Sequence, residues 1–260
     1  MTNLTAKAIR LQELHNPKDP LVLCNVYDGE TARIVLQNGS AKALATSSYA
    51  VAAVRGIDES KLTPEQLVTA VKYIVAVIDA NSGDSIIPLT VDMRDGWGEK
   101  LESVVESLIQ AGATGCNIED EDGETEKLMS LEEAKSRVAR VVATASRLGV
   151  PNFAVNARTD ILGHNGTIDD AIERGKAFLE AGATSVFVWG GAGGRGVSRE
   201  EIVKLVAAFD GRLNARLKTG PGYLTIPQLK ELGVGRISLG RELQDIAMAA
   251  YKQAVDKLLL

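Results

Sequence analysis

Short apolar runs alternate along this chain with longer stretches of helical periodicity. The apolar runs fall at 21–26, 42–46, 86–91, 113–118, 153–157, 184–189, 213–215 and 235–239. Each is the length of a buried strand rather than of a helix. Helical patterns lie at 4–15, after Tyr27-Asp28-Gly29, from Thr63 to about 80, at 99–111, at 130–148, at 167–181, and from Ser198, Thr225 and Arg241. Thr63-Pro64 reads as a helix cap with proline in the first turn, and Ser130-Leu131-Glu132-Glu133 as a capping box. One joint occurs twice almost unchanged, as Leu108-Ile109-Gln110-Ala111-Gly112-Ala113-Thr114 and as Phe178-Leu179-Glu180-Ala181-Gly182-Ala183-Thr184. Weaker copies are Gln37-Asn38-Gly39 and Glu231-Leu232-Gly233. Helix, glycine stop, short apolar strand is the grammar of α/β units. Eight such units predict a single (β/α)8 barrel of TIM type across 1–260; count and length favour it over an open doubly wound sheet.

Composition narrows the class only slightly. The 260 residues carry a formal charge of −5, which offers no electrostatic attraction to nucleic acid or to an anionic membrane. No apolar run approaches the roughly 20 residues of a membrane span, and no signal-peptide pattern opens the chain, so a cytoplasmic location is expected. Cys24 and Cys116 sit in strand-like runs and read as buried reduced thiols. His15 reads as a surface residue at a helix end and His164 as a solvated loop residue.

Candidate chemistry gathers at the strand ends. Ser47, Asp92, Glu119 and Arg158 close four different strands, with Trp189 beside them, and a barrel brings such positions to one face. The two acids, on consecutive strands, can hold a hard divalent cation that retains several waters. Arg158 offers a fork for a substrate carboxylate, the alternative being an ion pair with these same acids. Ser47 and Ser48 could bind an anion or form an ordinary turn. The glycine-rich run 190–196 lacks both a Walker-type Gly-Lys-Ser/Thr and a complete G-x-G-x-x-G, and Gly220-Pro221-Gly222 reads as a plain turn.

Taken together, these positions resemble the phosphoenolpyruvate mutase/isocitrate lyase superfamily over nearly the whole chain. The likeness is carried by Thr46-Ser47-Ser48 with Ala50-Val51-Ala52-Ala53 and Gly56, and by Val91-Asp92 with Asp95-Gly96-Trp97-Gly98. It continues in Asn117-Ile118-Glu119-Asp120, Asn156-Ala157-Arg158-Thr159-Asp160 and Gly235-Arg236-Ile237-Ser238-Leu239-Gly240. The resemblance implies a barrel whose C-terminal helix is exchanged between subunits of a homotetramer or homodimer. It also implies a Mg²⁺ (or Mn²⁺) site for a small carboxylate substrate, a 2-oxo acid or its enolate. Asp92 and Glu119 would serve the metal and Arg158 would bind a carboxylate. Ser47, with Ser48, would hold the pyruvate- or oxalate-like end, and Asp58 or Glu59 would be the catalytic loop acid.

Two positions depart from the pattern. Where relatives carry a second acid two residues after Asp92, this chain has Arg94, so Asp95 is the nearest substitute for a metal acid. The cysteine-bearing loop of the lyase branch is replaced by Glu121 to Lys127. The expected reaction is therefore carbon–carbon cleavage or hydrolysis by a variant mechanism, with Arg94 pairing a second substrate carboxylate. A phosphonomutase-like isomerase and a non-catalytic binding protein with a degenerate metal site are the alternatives.

Overall fold

The apolar runs form one parallel sheet that closes on itself. In the computed structural model, which describes residues 3–83, 85–191 and 195–259, the first run divides at Cys24. Its halves are β1 (Leu21–Leu23) and β2 (Asn25–Val26). β2 pairs with β3 (Leu44–Thr46), and β1 pairs with the last strand, β9 (Arg236–Ser238). The first run is thus the seam of the barrel. Between β3 and β9 follow β4 (Leu89–Asp92), β5 (Gly115–Glu119), β6 (Ala154–Thr159), β7 (Ser185–Val188) and β8 (Leu213–Arg216), each parallel to the next. Nine strand segments therefore make the eight staves expected of the fold.

The helices are α1 (Asn3–Leu14), α2 (Gly29–Gln37), α3 (Ser48–Ala53), α4 (Pro64–Asn81) and α5 (Leu101–Gln110). They continue as α6 (Leu131–Arg147), α7 (Ile168–Glu180), α8 (Arg199–Ala208), α9 (Ile226–Glu231) and α10 (Glu242–Leu258). Reciprocal capping boxes start α2, α4, α7, α8 and α9. A side-chain cap contributes about 1 kcal/mol. At α6 Ser130 accepts from the Glu133 N–H, but Glu133 turns its carboxylate to Arg137 at 2.9 Å instead of closing the box. α3 was not foreseen: Ser47, read as a strand-end residue, caps a six-residue helix. The third run enters the sheet only at Leu89, since Pro88 has no N–H to give to a ladder.

The repeated joint has one geometry at both places. Gly112 and Gly182 each have φ 101, a conformation that L side chains rarely adopt. The N–H of the following alanine returns to the helix, Ala113 to Leu108 at 2.9 Å and Ala183 to Phe178 at 3.0 Å. α1 plugs the amino-terminal mouth of the barrel, with Leu11 and Leu14 packed on Leu21, Leu23, Ala43, Ala45 and Ala154. The plug fits because β5 opens with glycine: a Cβ at Gly115 would lie 2.8 Å from Leu11.

His15 stands at the end of α1, as expected, and is half-buried; the plug gives it partners that the sequence did not show. Its Nδ1 lies 2.7 Å from the Leu11 carbonyl, and its Nε2 3.4 Å from the Arg236 guanidinium. Desolvation first, and the Arg236 charge second, push its pKa down to about 3. The ring is therefore neutral, with Nδ1–H donating to Leu11. At the other end of the chain, Gln244 is the one buried residue of α10, while Ile246, Met248, Tyr251, Leu258 and Leu259 are exposed. Leu260 lies outside the described residues, as do residues 192–194 of the glycine-rich run.

Candidate active site

A strand alternates its side chains, so every second residue of a barrel strand faces inward. Here the inward positions toward the carboxyl ends are polar: Asp92, Asn117 and Glu119, Asn156 and Arg158, Asn214 and Arg216, Arg236 and Ser238. They line one cavity of about 300 Å³, except Asn156, which bonds the lining residue Asn117.

Across β4 to β7 these groups form a ladder along register partners. The Asn117 amide donates to Asp92 Oδ1 at 3.0 Å, the Asn156 amide to Asn117 at 2.7 Å, and Ser185 Oγ to Asn156 at 2.7 Å. Asp92 Oδ2 accepts from the Ser48 N–H at 3.0 Å and from Ser48 Oγ at 2.7 Å. The asparagines were not singled out from sequence; the available signal was an amide at each inward position of a buried strand.

Ser48 Oγ also touches the Glu59 carboxyl. A hydroxyl carries one proton and cannot donate to two carboxylates at once. The arrangement closes if Glu59 is protonated, and burial, then the Asp92 charge, do raise its pKa. Asp58, its neighbour, stays at the surface and accepts the Ser60 N–H at 2.8 Å. Of the two loop acids named from sequence, only Glu59 reaches the cavity.

Glu119 meets Arg158 at 2.9 Å. Desolvation holds Glu119 well above the usual carboxylate range, against the pull of Arg158, and Asp160, Asp92 and Glu59 add repulsion. Arg158 also clasps Asp160 Oδ1 through Nε at 3.0 Å and Nη2 at 2.5 Å. Burial raises Asp160 to about 6. The Arg158 guanidinium lies 4.5 Å from the Trp189 ring centre and 6.0 Å from that of Phe187. The ion pair weighed as the alternative role of Arg158 is thus present, within a residue that lines the cavity. Asp120 faces away, binding Arg174 at 3.0 Å and the Asp160 N–H at 2.7 Å.

Ser47 lines the cavity while its side chain caps α3. Arg94 lines it too, from a left-handed backbone (φ 51), its guanidinium under Gly123. Asp95 is buried and held by Arg137, whose Nη1 lies 3.6 Å from the carboxylate. His164, expected in solvent, is half-buried and bonded at 2.5 Å to Glu121, a cavity residue.

The acids can be tested for a divalent cation. Glu59, Asp92 and Glu119 line one cavity, and repulsion among them contributes to the raised pKa values of Glu59 and Glu119. A cation would relieve that repulsion. Among the described residues no three acidic, histidine or cysteine groups stand close enough to form a complete cage. The set fits a hard ion that takes one or two carboxylates and fills its shell with water and substrate oxygens, as Mg²⁺ does.

A parallel barrel with acids and an arginine at its carboxyl strand ends has the architecture of an α/β-barrel enzyme with a small polar site. The family profile of phosphoenolpyruvate phosphomutase matches residues 11–259, and the chain belongs to that family. It is 31% identical to oxaloacetate decarboxylase of Paraburkholderia xenovorans (strain LB400) over 195 residues, 72% of this chain and 62% of the other. It superposes on a crystal structure designated a phosphonomutase from Burkholderia cenocepacia J2315 with TM-score 0.86 and 32% identity, covering 98% of this chain and 99% of that one. A structure of oxaloacetate acetylhydrolase with its product oxalate gives TM-score 0.84 at 25% identity, over 98% and 87% of the two chains. Metal dependence is general in the family. Among the described residues, no helix is long and apolar enough to cross a membrane.

Proposed function

We propose that this chain cleaves a carbon–carbon bond in a small 2-oxo acid, as a lyase or hydrolase. The observation that carries the reading is the set Glu59, Asp92 and Glu119 facing Arg158 in one small cavity. Similarity to an oxaloacetate decarboxylase and an oxaloacetate acetylhydrolase supports the same substrate class.

In this reading Arg158 orients the substrate carboxylate with the N–H groups that its acids leave free, and Ser47 holds the 2-oxo end. Mg²⁺ or Mn²⁺, served by Asp92 and Glu119, would supply Lewis-acid stabilisation of enolate charge. Asp92 is held in place by Ser48 and Asn117, so its charge needs no reorganisation during the reaction. Glu59 acts as the general acid in the lyase branch, giving its proton to the enolate carbon; this replaces the missing loop cysteine. Neutral Glu59 is the active form. Its raised pKa then places the loss of activity with rising pH above the ordinary carboxylate range.

The test follows oxaloacetate by NMR, with Mg²⁺ and with a chelator. Metal-dependent formation of pyruvate, or of oxalate and acetate, supports the reading. No turnover with metal bound would sink it; rearrangement of a phosphonate instead would make the chain an isomerase. Glu59→Gln should lower kcat by about 10²-fold or more and remove the high-pH fall.

The same reading makes the chain a homotetramer or homodimer that exchanges α10. The exposed Ile246, Met248, Tyr251, Leu258 and Leu259 support it, since one barrel leaves them in water. A monomer by light scattering at micromolar concentration would refute the assembly.

A further inference from the structure

Arginine is rarely buried without a partner, because an isolated charge in a protein interior costs several kcal/mol. Two arginines of this cavity, Arg236 buried and Arg216 half-buried, have no carboxylate in an ion pair among the described residues. Arg216 ends β8, Arg236 opens β9, and both line the cavity. The Nε of each is buried and meets no hydrogen-bond partner among the described residues. Arg236 is 3% exposed; its Nη1 lies 3.4 Å from the neutral His15 ring, and Asp92 reaches it only through space.

Their neighbours leave both without an ion pair. In the β8–β9 register Asn214 pairs with Arg236, and Arg216 with Ser238. Asn214 and Ser238 hydrogen-bond each other at 3.1 Å. The wall is therefore a strip: Arg236, then the Asn214–Ser238 pair, then Arg216. Glu242 lies within electrostatic reach of Arg216, but its carboxylate accepts from Thr219 N–H at 2.9 Å and Oγ1 at 2.7 Å. Arg241 pairs with Asp245 at 2.8 Å and stacks on Tyr49. Arg158 is matched by Glu119 and Asp160, and Arg94 acts electrostatically on Asp58 and Glu59. Desolvation, with repulsion from Arg158 and Arg241, makes the Arg216 charge harder to hold, and burial lowers Arg236 to about 10. An anion entering beside these side chains meets guanidinium groups that form no ion pair with any carboxylate of the described residues, although Asp92 acts on Arg236, and Glu242 and Asp245 on Arg216, through space.

We infer that Arg216 and Arg236 form a second carboxylate subsite, which selects a dicarboxylic over a monocarboxylic 2-oxo acid. The inference rests on the proposed small-acid site and moves the second carboxylate from Arg94 to the β8–β9 wall. Arg158 and Ser47 take one end of the substrate; the strip takes the other.

The test is direct binding by calorimetry, independent of turnover. The probes are pyruvate and 3,3-difluorooxaloacetate, which adds a carboxylate. The wild type should bind the dicarboxylate at least tenfold more tightly, the scale of one charge-assisted contact. Arg216→Met and Arg236→Met should each remove most of that ratio and leave the pyruvate Kd within about twofold. Arg216→Lys should keep part of it. If wild type binds both acids and neither methionine variant moves the ratio, the subsite is wrong while the small-acid reading survives. If wild type binds neither acid with metal present, the parent reading fails and this one with it.

Discussion

The β4–β6 wall of the cavity and the β8–β9 wall are both rich in charge, and they handle it in opposite ways. On the first, Asp92 takes three donors, Glu119 takes Arg158, and Arg158 takes Asp160 as well. Its two orphan atoms are mild cases: the Thr90 hydroxyl, and Asp160 Oδ2 on a carboxyl raised to about 6. On the second wall the orphans are guanidinium nitrogens. A network closed on itself is rigid and strands a charge when one member is lost. An open one leaves interaction energy for a ligand.

The largest effect that would test the contrast is on stability. Arg158→Met leaves Glu119 and Asp160 buried without their cation, and should lower the unfolding free energy by about 3–5 kcal/mol in urea titrations. Arg216→Met strands nothing and should be neutral or slightly stabilising. Equal losses at both positions would break the comparison.

Next is Asp92→Asn, which presents an amide to the Asn117 amide and removes the fixed charge. Its kcat for oxaloacetate should fall about 10²–10³-fold, the scale of losing one preorganised electrostatic group. A near wild-type kcat would remove Asp92 from the chemistry.

His15→Gln probes the floor beneath Arg236. The unfolded histidine binds a proton near pH 6.5, whereas the folded one waits until about 3. Unfolded chains therefore hold the extra proton in that window, and stability falls as pH drops through it. By pH 5 the loss from this residue is about 2 kcal/mol. Wild type should lose several degrees more of Tm than His15→Gln between pH 7.5 and 5.

The smallest effect belongs to a pair outside the cavity. Arg140 grips Glu102 at 2.6 and 2.8 Å between α6 and α5, but both side chains are more than a third exposed. Glu102→Gln should cost no more than about 1 kcal/mol at neutral pH. Glu102 is held down to about 2, so its contribution exists above pH 4.5 and is lost as pH falls toward 2. A larger cost than at Arg158 would mean that burial does not set the scale.

Much of the site was legible before any coordinates. Asp92, Glu119 and Arg158 stand at carboxyl ends of apolar runs, and strand polarity sends such ends to one face. The alternation in Leu213-Asn214-Ala215-Arg216 and Arg236-Ile237-Ser238 carried the inward arginines too, but strands this short give few turns of the pattern to read. Asp58 and Glu59 could not be separated from sequence. They are adjacent in a loop, and only the path of the chain turns one to solvent and the other onto Ser48. His15 was legible as a helix-end residue, but its partners were not, since they follow only once the helix is known to plug a barrel.

Helices, joints and barrel class follow from the sequence because they depend on neighbours a few residues away. A glycine stops a helix and a capping hydroxyl starts one whatever the rest of the chain does. The state of the charges depends on groups far apart in the chain. Ser48, Glu59 and Asp92 share protons across 44 positions, and His15 meets Arg236 across 221. Desolvation and Coulomb energy act through space, so only the closed barrel decides which acids are neutral, which arginines are matched, and which are left for a ligand.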